Sequence, residues 1–375
     1  MANEWSGVIT DNAPRYLKGV TDLTIRDRLL LSMLRKRGRI TYGHSSHTLH
    51  WNVQRMQNPV ETYNDGATIN YSRQDQDTRL ELDVRGYRVS DMMTAKEQVM
   101  NQGATAIINR YKEKIPRMVQ SMRDRFGTEL YVDGYSAGNE NALCGLNSFT
   151  GTGTTVAADL IAEPSDTYAG QSTSLGDAGG SWSTDLVTKP NAAVATDWPY
   201  GTGSSEYDYF SPKLVNWSST NWGTSSTAWE DNAERVLRET ISWLTLTVGK
   251  EGTPDLFLMS GEMYTALLNS ISAKQRIIIP HKESQDLGFE AVNFDGVALH
   301  REYGIAPRTF YGLNLDQLEF CIWSSIDGAT QQDQLFQSMG PTWDPHSASW
   351  LFLLMFFGNL KFVSPKYFAK GYSYA

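Results

Sequence analysis

Apolar residues recur with a helical period of about 3.6 residues in four parts of the chain. Asp22 can cap the first predicted helix and Gly38 ends it, whereas Thr94 and Gly127 bound the second. Pro116 lies inside the second helix, so we expect a kink or a missing hydrogen bond there. The first helix carries the apolar stripe Leu23, Leu30, Leu31 and Leu34. The four predicted helices span 21–38, 94–126, 227–249 and 261–272.

Residues 41–92 show the alternation typical of β-strands. Leu80, Leu82 and Val84 fall on one strand face, and Gly86 interrupts the alternation as a bulge would. Upstream, Asn64-Asp65-Gly66 is a strong hairpin-turn signal. These features predict a long two-stranded arm that reaches on the order of 65 Å for about 20 extended residues. Because an isolated hairpin is marginally stable in water, we expect a partner chain to cover it.

The second half of the chain mixes helices and strands. Residues 150–227 are rich in Gly, Ser, Thr, Asn and Trp, which predicts short strands and long surface loops. The segment 254–260 predicts a buried strand, and 291–323 predicts several β segments separated by Gly and Pro. The apolar run Trp350 to Phe357 is far shorter than the roughly 20 residues of a membrane span, so we interpret it as a buried strand. The sequence therefore predicts an α+β fold.

The charge distribution is uneven along the 375 residues, and the net charge is −9. This acidity disfavours tight binding of DNA by the whole surface. Residues 15–39 hold eight Lys or Arg against two Asp, a balance of +6, which indicates either a solvated basic face or contact with an acidic partner. Residues 150–227 hold eight acidic residues against two Lys, a balance of −6.

The two cysteines, Cys144 and Cys321, have no C-x-x-C or zinc-site spacing, and we expect free thiols in a reducing compartment. The N-terminus shows neither the basic nor the apolar region of a secretion signal. The sequence therefore predicts a soluble protein made in a cytoplasm.

The stretch Gly134 to Gly138 matches G-x-S-x-G, the nucleophile elbow of α/β-hydrolases, with Ser136 as nucleophile. An elbow requires a strand before the serine and a helix after it, but here a long hairpin and a long helix precede the motif. No oxyanion segment accompanies it, and no signature ties a downstream His to an acid. We interpret both glycines as turn residues and Ser136 as a loop serine.

The sequence signals for a metal site, an acid/base pair and a phosphate-binding loop are equally weak. His44, His47 and His50 are spaced by three residues, which fits neither a strand face nor a helix face, so we expect polar strand positions instead of a metal site. Asp295 and Glu302 are interpreted as a turn aspartate and a strand-end charge. The GTG segments lack the Gly-Lys-Ser/Thr of a phosphate-binding loop. We therefore predict no catalytic, cofactor-binding or metal site, and no enzyme activity.

The order of these parts resembles the major capsid proteins of tailed phages, which have the Hong Kong 97 fold. The helix 94–126 is similar to the spine helix of that family. Further similar segments are "ALCGLN" at 142–147, "TYAGQSTSLGDAGGSWS" at 167–183, "PDLFLMSGEMYTAL" at 254–267, "NFDGVALHREYGIAPRTFYGLNLDQLEF" at 293–320 and "GNLKFVSPKYFAKG" at 358–371. The order of the segments is more specific than any one of them.

The resemblance implies a division of the chain into four parts. Residues 1–40 would form an N-terminal arm and 41–92 an extended β-hairpin, the E-loop. The P-domain would combine the spine helix in 93–130 with 331–375. The A-domain would span 131–330 and include the acidic insertion 150–227.

The resemblance also implies a function and partners. The chain would self-assemble into pentamers and hexamers of an icosahedral shell that encloses double-stranded DNA without sequence-specific contact, located in the virion after assembly in the host cytoplasm. Expected partners are a separate scaffolding protein, a portal and decoration proteins, with no membrane and no cofactor. Some relatives join subunits through an E-loop lysine, but no Lys lies between Gly38 and Ala95, so this crosslink is not expected.

Because the sequence begins directly with the arm, we also expect that no protease shortens the chain. Three alternatives stay open: an encapsulin-like nanocompartment that holds an enzyme cargo, a serine hydrolase that uses Ser136, and a non-assembling binding module.

Overall fold

A computed structural model describes residues 28–44, 46–54, 76–100, 110–151, 160–162, 164–174, 210–272, 292–323 and 337–374, with isolated positions between 55 and 75. The described helices are α1 (Leu29–Lys36), α2 (Ala95–Met100), α3 (Arg110–Glu129), α4 (Trp229–Val248) and α5 (Gly261–Ser272). No helix in these ranges is both long and apolar enough to cross a membrane.

The described strands fall into two large sheets and two small hairpins. Strands in the first half are β1 (Ile40–His44), β2 (Thr48–Gln54), β3 (Asp77–Asp83), β4 (Arg85–Thr94), β5 (Ile161–Ala162), β6 (Thr167–Tyr168), β7 (Gln171–Ser172) and β8 (Lys213–Asn216). Strands in the second half are β9 (Leu256–Met259), β10 (Val292–Phe294), β11 (Val297–Arg301), β12 (Phe310–Leu313), β13 (Leu318–Trp323), β14 (Gln337–Asp344), β15 (Ser349–Phe362) and β16 (Ala369–Tyr372).

The five-stranded sheet is organised around β15. One edge of β15 pairs with β4 along 349–358, and the other edge pairs with β14 near its start and with β13 near its end. Strand β1 then adds to β13 in parallel. Strand β15 is the long apolar segment of the sequence, and its length lets it hold three antiparallel neighbours.

The predicted arm over 41–92 is only partly a hairpin. Strands β2 and β3 pair with each other, whereas β1 and β4 belong to the five-stranded sheet. The chain leaves one sheet and joins the other at Val84, between β3 and β4. The break in alternation near Gly86 therefore marks a change of sheet, and the expectation of a bulge was wrong. Gly66 has the positive φ of +88° expected at the hairpin turn.

The seven-stranded sheet has the order β10-β11-β9-β12-β16-β8-β5. Side chains on one face of β9, such as Phe257, pack in a hydrophobic cluster with α4 and α5. Side chains on its other face, such as Leu258, join the cluster that contains the five-stranded sheet and α3. All four residues of β9 are buried, which confirms the buried strand predicted over 254–260.

Two strands pair with strands of a sheet that lies mainly in another predicted domain. Strand β13, assigned from the sequence to the A-domain range 131–330, pairs with β15 in the five-stranded sheet. Strand β16, assigned to the P-domain range 331–375, pairs with β12 and β8 in the seven-stranded sheet. Pairing between residues far apart in the sequence decides which sheet β13 and β16 join. The domain limits themselves stay a prediction.

The helices largely follow the predicted ranges. Helices α4 and α5 confirm the predictions over 227–249 and 261–272. Helix α1 ends before Gly38, which has a φ of +67°, as predicted. Asp22 and Leu23 lie outside the described residues, as do 101–109 between α2 and α3. Helix α3 contains Pro116 and continues to Glu129, three residues beyond the predicted end.

Candidate assembly surface

Strand β15 has one buried face and one partly exposed face. Phe352, Leu354 and Phe356 point into the core and are at most 2% exposed. The alternate residues Leu351, Leu353, Met355 and Phe357 are exposed or half-buried. Since successive side chains of a strand point to opposite faces, an apolar row runs along the outer face of the five-stranded sheet.

Exposed hydrophobic side chains concentrate at one end of this sheet, where β4 ends and β14 turns into β15. Leu351 is 41% exposed and pairs across strands with Met92, which is 57% exposed. Trp343 is 42% exposed and packs edge-on against Trp350. We call this region the sheet tip, defined by Met92, Val99, Met100, Trp343 and Leu351. Five of the ten exposed large hydrophobic residues in the described part of the chain lie there.

The base of the β2–β3 hairpin is anchored to the subunit. Leu80 and Leu82 are buried in the main core. The Trp51 indole nitrogen donates to the Val363 carbonyl at 3.1 Å, and Lys361 Nζ lies 5.5 Å from the Trp51 ring centroid. The expectation that a partner must cover the whole arm was therefore wrong for paired residues 48–54 and 77–83, because the subunit itself covers their apolar face.

Asn359 connects the hairpin to two other parts of the subunit. Its amide nitrogen donates to the Asp83 carbonyl at 2.8 Å, where the chain changes sheets. Its amide oxygen accepts from the Cys144 backbone N–H at 3.0 Å. Asn359 is fully buried, and its hydrogen bond with the Cys144 N–H is shielded from water. The direction in which the hairpin leaves the body is thus fixed from within the subunit.

A cluster of charged and aromatic side chains holds the start of α1. We call it the α1 cluster: Arg28, Tyr131 and Glu302 are buried, whereas Asp124 is partly exposed and Tyr303 is half exposed. The two carboxylate oxygens of Glu302 accept from the backbone N–H groups of Leu29 and Leu30 at 3.2 and 3.0 Å. The sequence interpretation of Glu302 as a strand-end charge is correct in position, since β11 ends at Arg301. Its role as a helix cap could not be read locally, because the capped residues are more than 270 positions away.

Arg28 completes this cluster. Its guanidinium donates to the carbonyls of Tyr303 at 3.2 Å and Asp124 at 3.1 Å, and pairs with the Asp124 carboxylate at 3.5 Å. Its charge lies over the Tyr303 ring at 4.9 Å from the centroid. Two further cations of the basic 15–39 segment also pair within the subunit, Arg37 with Asp255 and Arg39 with Asp316. Part of the +6 net charge of residues 15–39 is therefore neutralised by acidic residues of the same chain.

Ser136 lies in an exposed loop that follows α3. Its carbonyl accepts from the Asn139 N–H within a turn. Gly138 has a φ of +90°, and Gly134 lies against the Leu143 carbonyl, where a Cβ would come within 2.7 Å. The glycines thus serve turns, as predicted, and no strand–serine–helix unit is present in this described loop.

The other sequence candidates are dispersed. His44 lies at the end of β1 beside Trp323, and burial lowers its pKa. His50 lies on β2, 3.4 Å from the Glu81 carboxylate. His47 is exposed in the bend between these strands. Asp295 occupies the β10–β11 turn with a φ of +49°, which confirms its assignment as a turn residue. Within the described residues, no group of three His, Cys, Asp or Glu is placed to hold a metal ion.

The fold matches solved capsid structures. The capsid asymmetric unit of cyanophage A-1(L) matches with a TM-score of 0.57 and 15% identity, covering 94% of this chain and 95% of that one. The capsid of a native GTA particle matches with a TM-score of 0.53 and 9% identity over 100% of both chains. The SrpI encapsulin of Synechococcus elongatus PCC 7942 matches at 0.48 and 11% identity, covering 94% and 91%, which is too distant to carry an argument.

The chain has the fold of tailed-phage capsid proteins. This confirms the resemblance inferred from the order of sequence segments, at the level of the fold. No protein-family model matches the chain, and no curated protein matches its sequence.

Proposed function

We propose that the chain is the major capsid protein of a tailed double-stranded DNA phage and assembles into pentamers and hexamers of an icosahedral shell. The observation that carries the proposal is the agreement of the fold with phage capsid subunits over nearly the whole chain. The shell would enclose the genome in the virion, and a net charge of −9 suits a container wall that must not grip phosphates.

The sheet tip supports a contact with a second copy of this chain. The exposed parts of its five apolar residues would gain further stability if another surface excluded water from them. A shell supplies that surface repeatedly, because each subunit is surrounded by copies of itself. The resemblance to the Hong Kong 97 fold further supports a contact of the E-loop range 41–92 with a neighbouring subunit.

Subunits in pentamers and hexamers must adopt slightly different shapes. We propose that α3 near Pro116 and the hairpin beyond its base absorb these differences. The paired residues 48–54 and 77–83 would keep one geometry, because Trp51 and Asn359 hold them to β15. Equal geometry of the Pro116 region and of the outer hairpin at every shell position would refute this.

The subunit contacts are proposed to be non-covalent, since the hairpin range contains no lysine. Shells boiled in detergent should therefore give a single band near 42.0 kDa. A ladder of covalent multimers would contradict this.

The proposal is tested by expressing the chain alone and with a candidate scaffolding protein encoded nearby. Light scattering followed by electron microscopy should reveal closed shells, tubes or capsomer rings. Shells isolated from infected cells should contain double-stranded DNA. Shells that contain one enzyme and no DNA would contradict the phage function and support the encapsulin-like nanocompartment.

A further inference from the structure

An aspartate followed by glycine can rearrange its own backbone. The glycine nitrogen attacks Cγ of the aspartic acid side chain, so that an N–Cγ bond forms and the Cγ–OH bond breaks. The amide proton and the hydroxyl group leave together as water, and a cyclic imide remains. Water then adds to the main-chain carbonyl of the imide and gives isoaspartate, with no net oxidation and no change of mass. Glycine favours the reaction because no side chain hinders its nitrogen.

The described residues contain three such dipeptides, and each lies in a turn or loop: Asp65-Gly66, Asp133-Gly134 and Asp295-Gly296. A fourth, at 327–328, lies outside the described residues. Glycine follows the aspartate in all three, so the dipeptides alone predict similar reactivity. A difference between them must therefore come from how the fold holds the two reacting groups.

The pair 133–134 is held at both reacting groups. The Gly134 N–H donates to the Ser148 hydroxyl at 2.9 Å in a buried hydrogen bond. The Asp133 carboxylate accepts from the Tyr135 backbone N–H at 2.9 Å. Ring closure at this pair requires a local opening that breaks both hydrogen bonds, which should slow the reaction by about tenfold or more.

The pair 295–296 is held at one of them. Asp295 Oδ2 accepts from Arg238 Nε at 3.0 Å. On either side of the pair, Phe294 and Val297 are opposite each other in the β10–β11 ladder. The side chains of Arg238 and Asp295 are 60% and 47% exposed, so this ion pair restrains the carboxylate less than a buried one would.

The pair 65–66 is exposed in the turn between β2 and β3. Gly66 has a φ of +88°, and no atom lies within 4 Å of the position that a Cβ would take. No hydrogen bond or ion pair joins the Asp65 carboxylate to another described residue. We propose that Asp65-Gly66 is a modification site, at which the unassembled chain forms isoaspartate faster than at 133–134 or 295–296.

The modification changes the turn and leaves the body of the subunit intact. One side-chain carbon enters the backbone at Asp65, and the former main-chain carbonyl becomes an exposed carboxylate. Paired residues 48–54 and 77–83 keep their geometry, because Trp51 and Asn359 hold them to β15. The new carboxylate makes the aged chain a substrate for a protein isoaspartyl methyltransferase, with S-adenosylmethionine as the methyl donor. The reaction occurs within one chain and does not rest on shell formation.

The test is incubation of the full, unassembled chain at physiological temperature, with samples digested at intervals. Chromatography and fragmentation of the peptides, together with methyl transfer by an isoaspartyl methyltransferase, measure isoaspartate at each pair. We expect formation at 65–66 to be at least about tenfold faster than at 133–134, with 295–296 between them. Equal rates at the three pairs, or a faster reaction at 133–134, would overturn the proposal.

Incubation of the chain in urea separates the effect of the fold from that of the sequence. The three rates should converge there, and a preference for 65–66 that persists after unfolding would overturn the structural explanation. Asp65→Glu keeps a carboxylate but does not close the same ring, so the peptide that contains 65–66 should lose its methyl acceptance. Acceptance that persists in this peptide would overturn the assignment to Asp65.

Arg238→Ala tests the restraint at the second turn. It frees the Asp295 carboxylate, so isoaspartate formation at 295–296 should rise by roughly two- to fivefold while the rate at 65–66 stays the same. Arg301→Ala is the matched control, because it removes an exposed arginine of the adjacent strand β11 and should change neither rate. An unchanged rate at 295–296 in Arg238→Ala would contradict the ranking of the three pairs.

Discussion

Substitutions of two leucines on opposite faces of β15 distinguish effects on folding from effects on assembly. Leu354 is 2% exposed and Leu351 is 41% exposed, so the same Leu→Ala change removes a core contact in one case and a surface contact in the other. Full burial of a leucine contributes roughly 1.5–3 kcal/mol. Burial of the exposed part of Leu351 by a neighbouring subunit would therefore contribute roughly 1 kcal/mol to the free energy of assembly. Its loss corresponds to about a fivefold increase in the protein concentration needed for assembly.

Leu354→Ala should lower the free energy of unfolding by about 2–5 kcal/mol, the usual cost of a cavity in a core. Leu351→Ala should have a urea midpoint close to the wild type but should require about fivefold more protein to assemble, as measured by light scattering. A Leu351→Ala variant that is destabilised as much as Leu354→Ala, or that assembles at the wild-type protein concentration, would contradict a role of Leu351 in assembly.

Three further outcomes follow from the described contacts. Gly145→Ala places a Cβ within 2.7 Å of three backbone carbonyl oxygens at the end of α3. This variant should lower the free energy of unfolding in urea by roughly 1–3 kcal/mol. Gly261→Ala is the control, because its Cβ meets no atom within 4 Å and the change should be neutral or stabilising. Trp51→Phe loses the hydrogen bond to Val363 and should speed amide exchange in β3; unchanged exchange would show that the bond does not anchor the hairpin. Burial raises the pKa of Cys321 to about 11, so a thiol reagent at pH 8 should react only after unfolding, and rapid labelling of the native chain would contradict its buried position.

Elements that depend on neighbouring residues were predicted well from the sequence. Helices α4 and α5 and the strand between them follow from local apolar periodicity, and Gly249 ends α4 as its place in the sequence indicates. The run Trp350 to Phe357 was predicted as a buried strand, which is correct for one face. Its other face is apolar and only partly covered by the described residues, with Leu351 exposed and Leu353, Met355 and Phe357 half-buried.

Features that depend on distant pairing were missed. The switch of sheets at Val84 is set by the pairing of β4 with β15, more than 250 residues later, and no local pattern reports it. The same distance hid the role of Glu302, whose sequence neighbourhood reads only as the end of a strand. A charged residue directly after an apolar strand was the available signal, but its partners near Arg28 could be found only in three dimensions.

The central claim is that copies of this chain build a closed shell. Cryo-electron microscopy of the purified assembly measures this directly. We predict icosahedral particles in which the sheet tip of each subunit, including Met92 and Leu351, is covered by a neighbouring copy. A protein that stays monomeric with and without its scaffold, or particles that leave the sheet tip in contact with solvent, would contradict it.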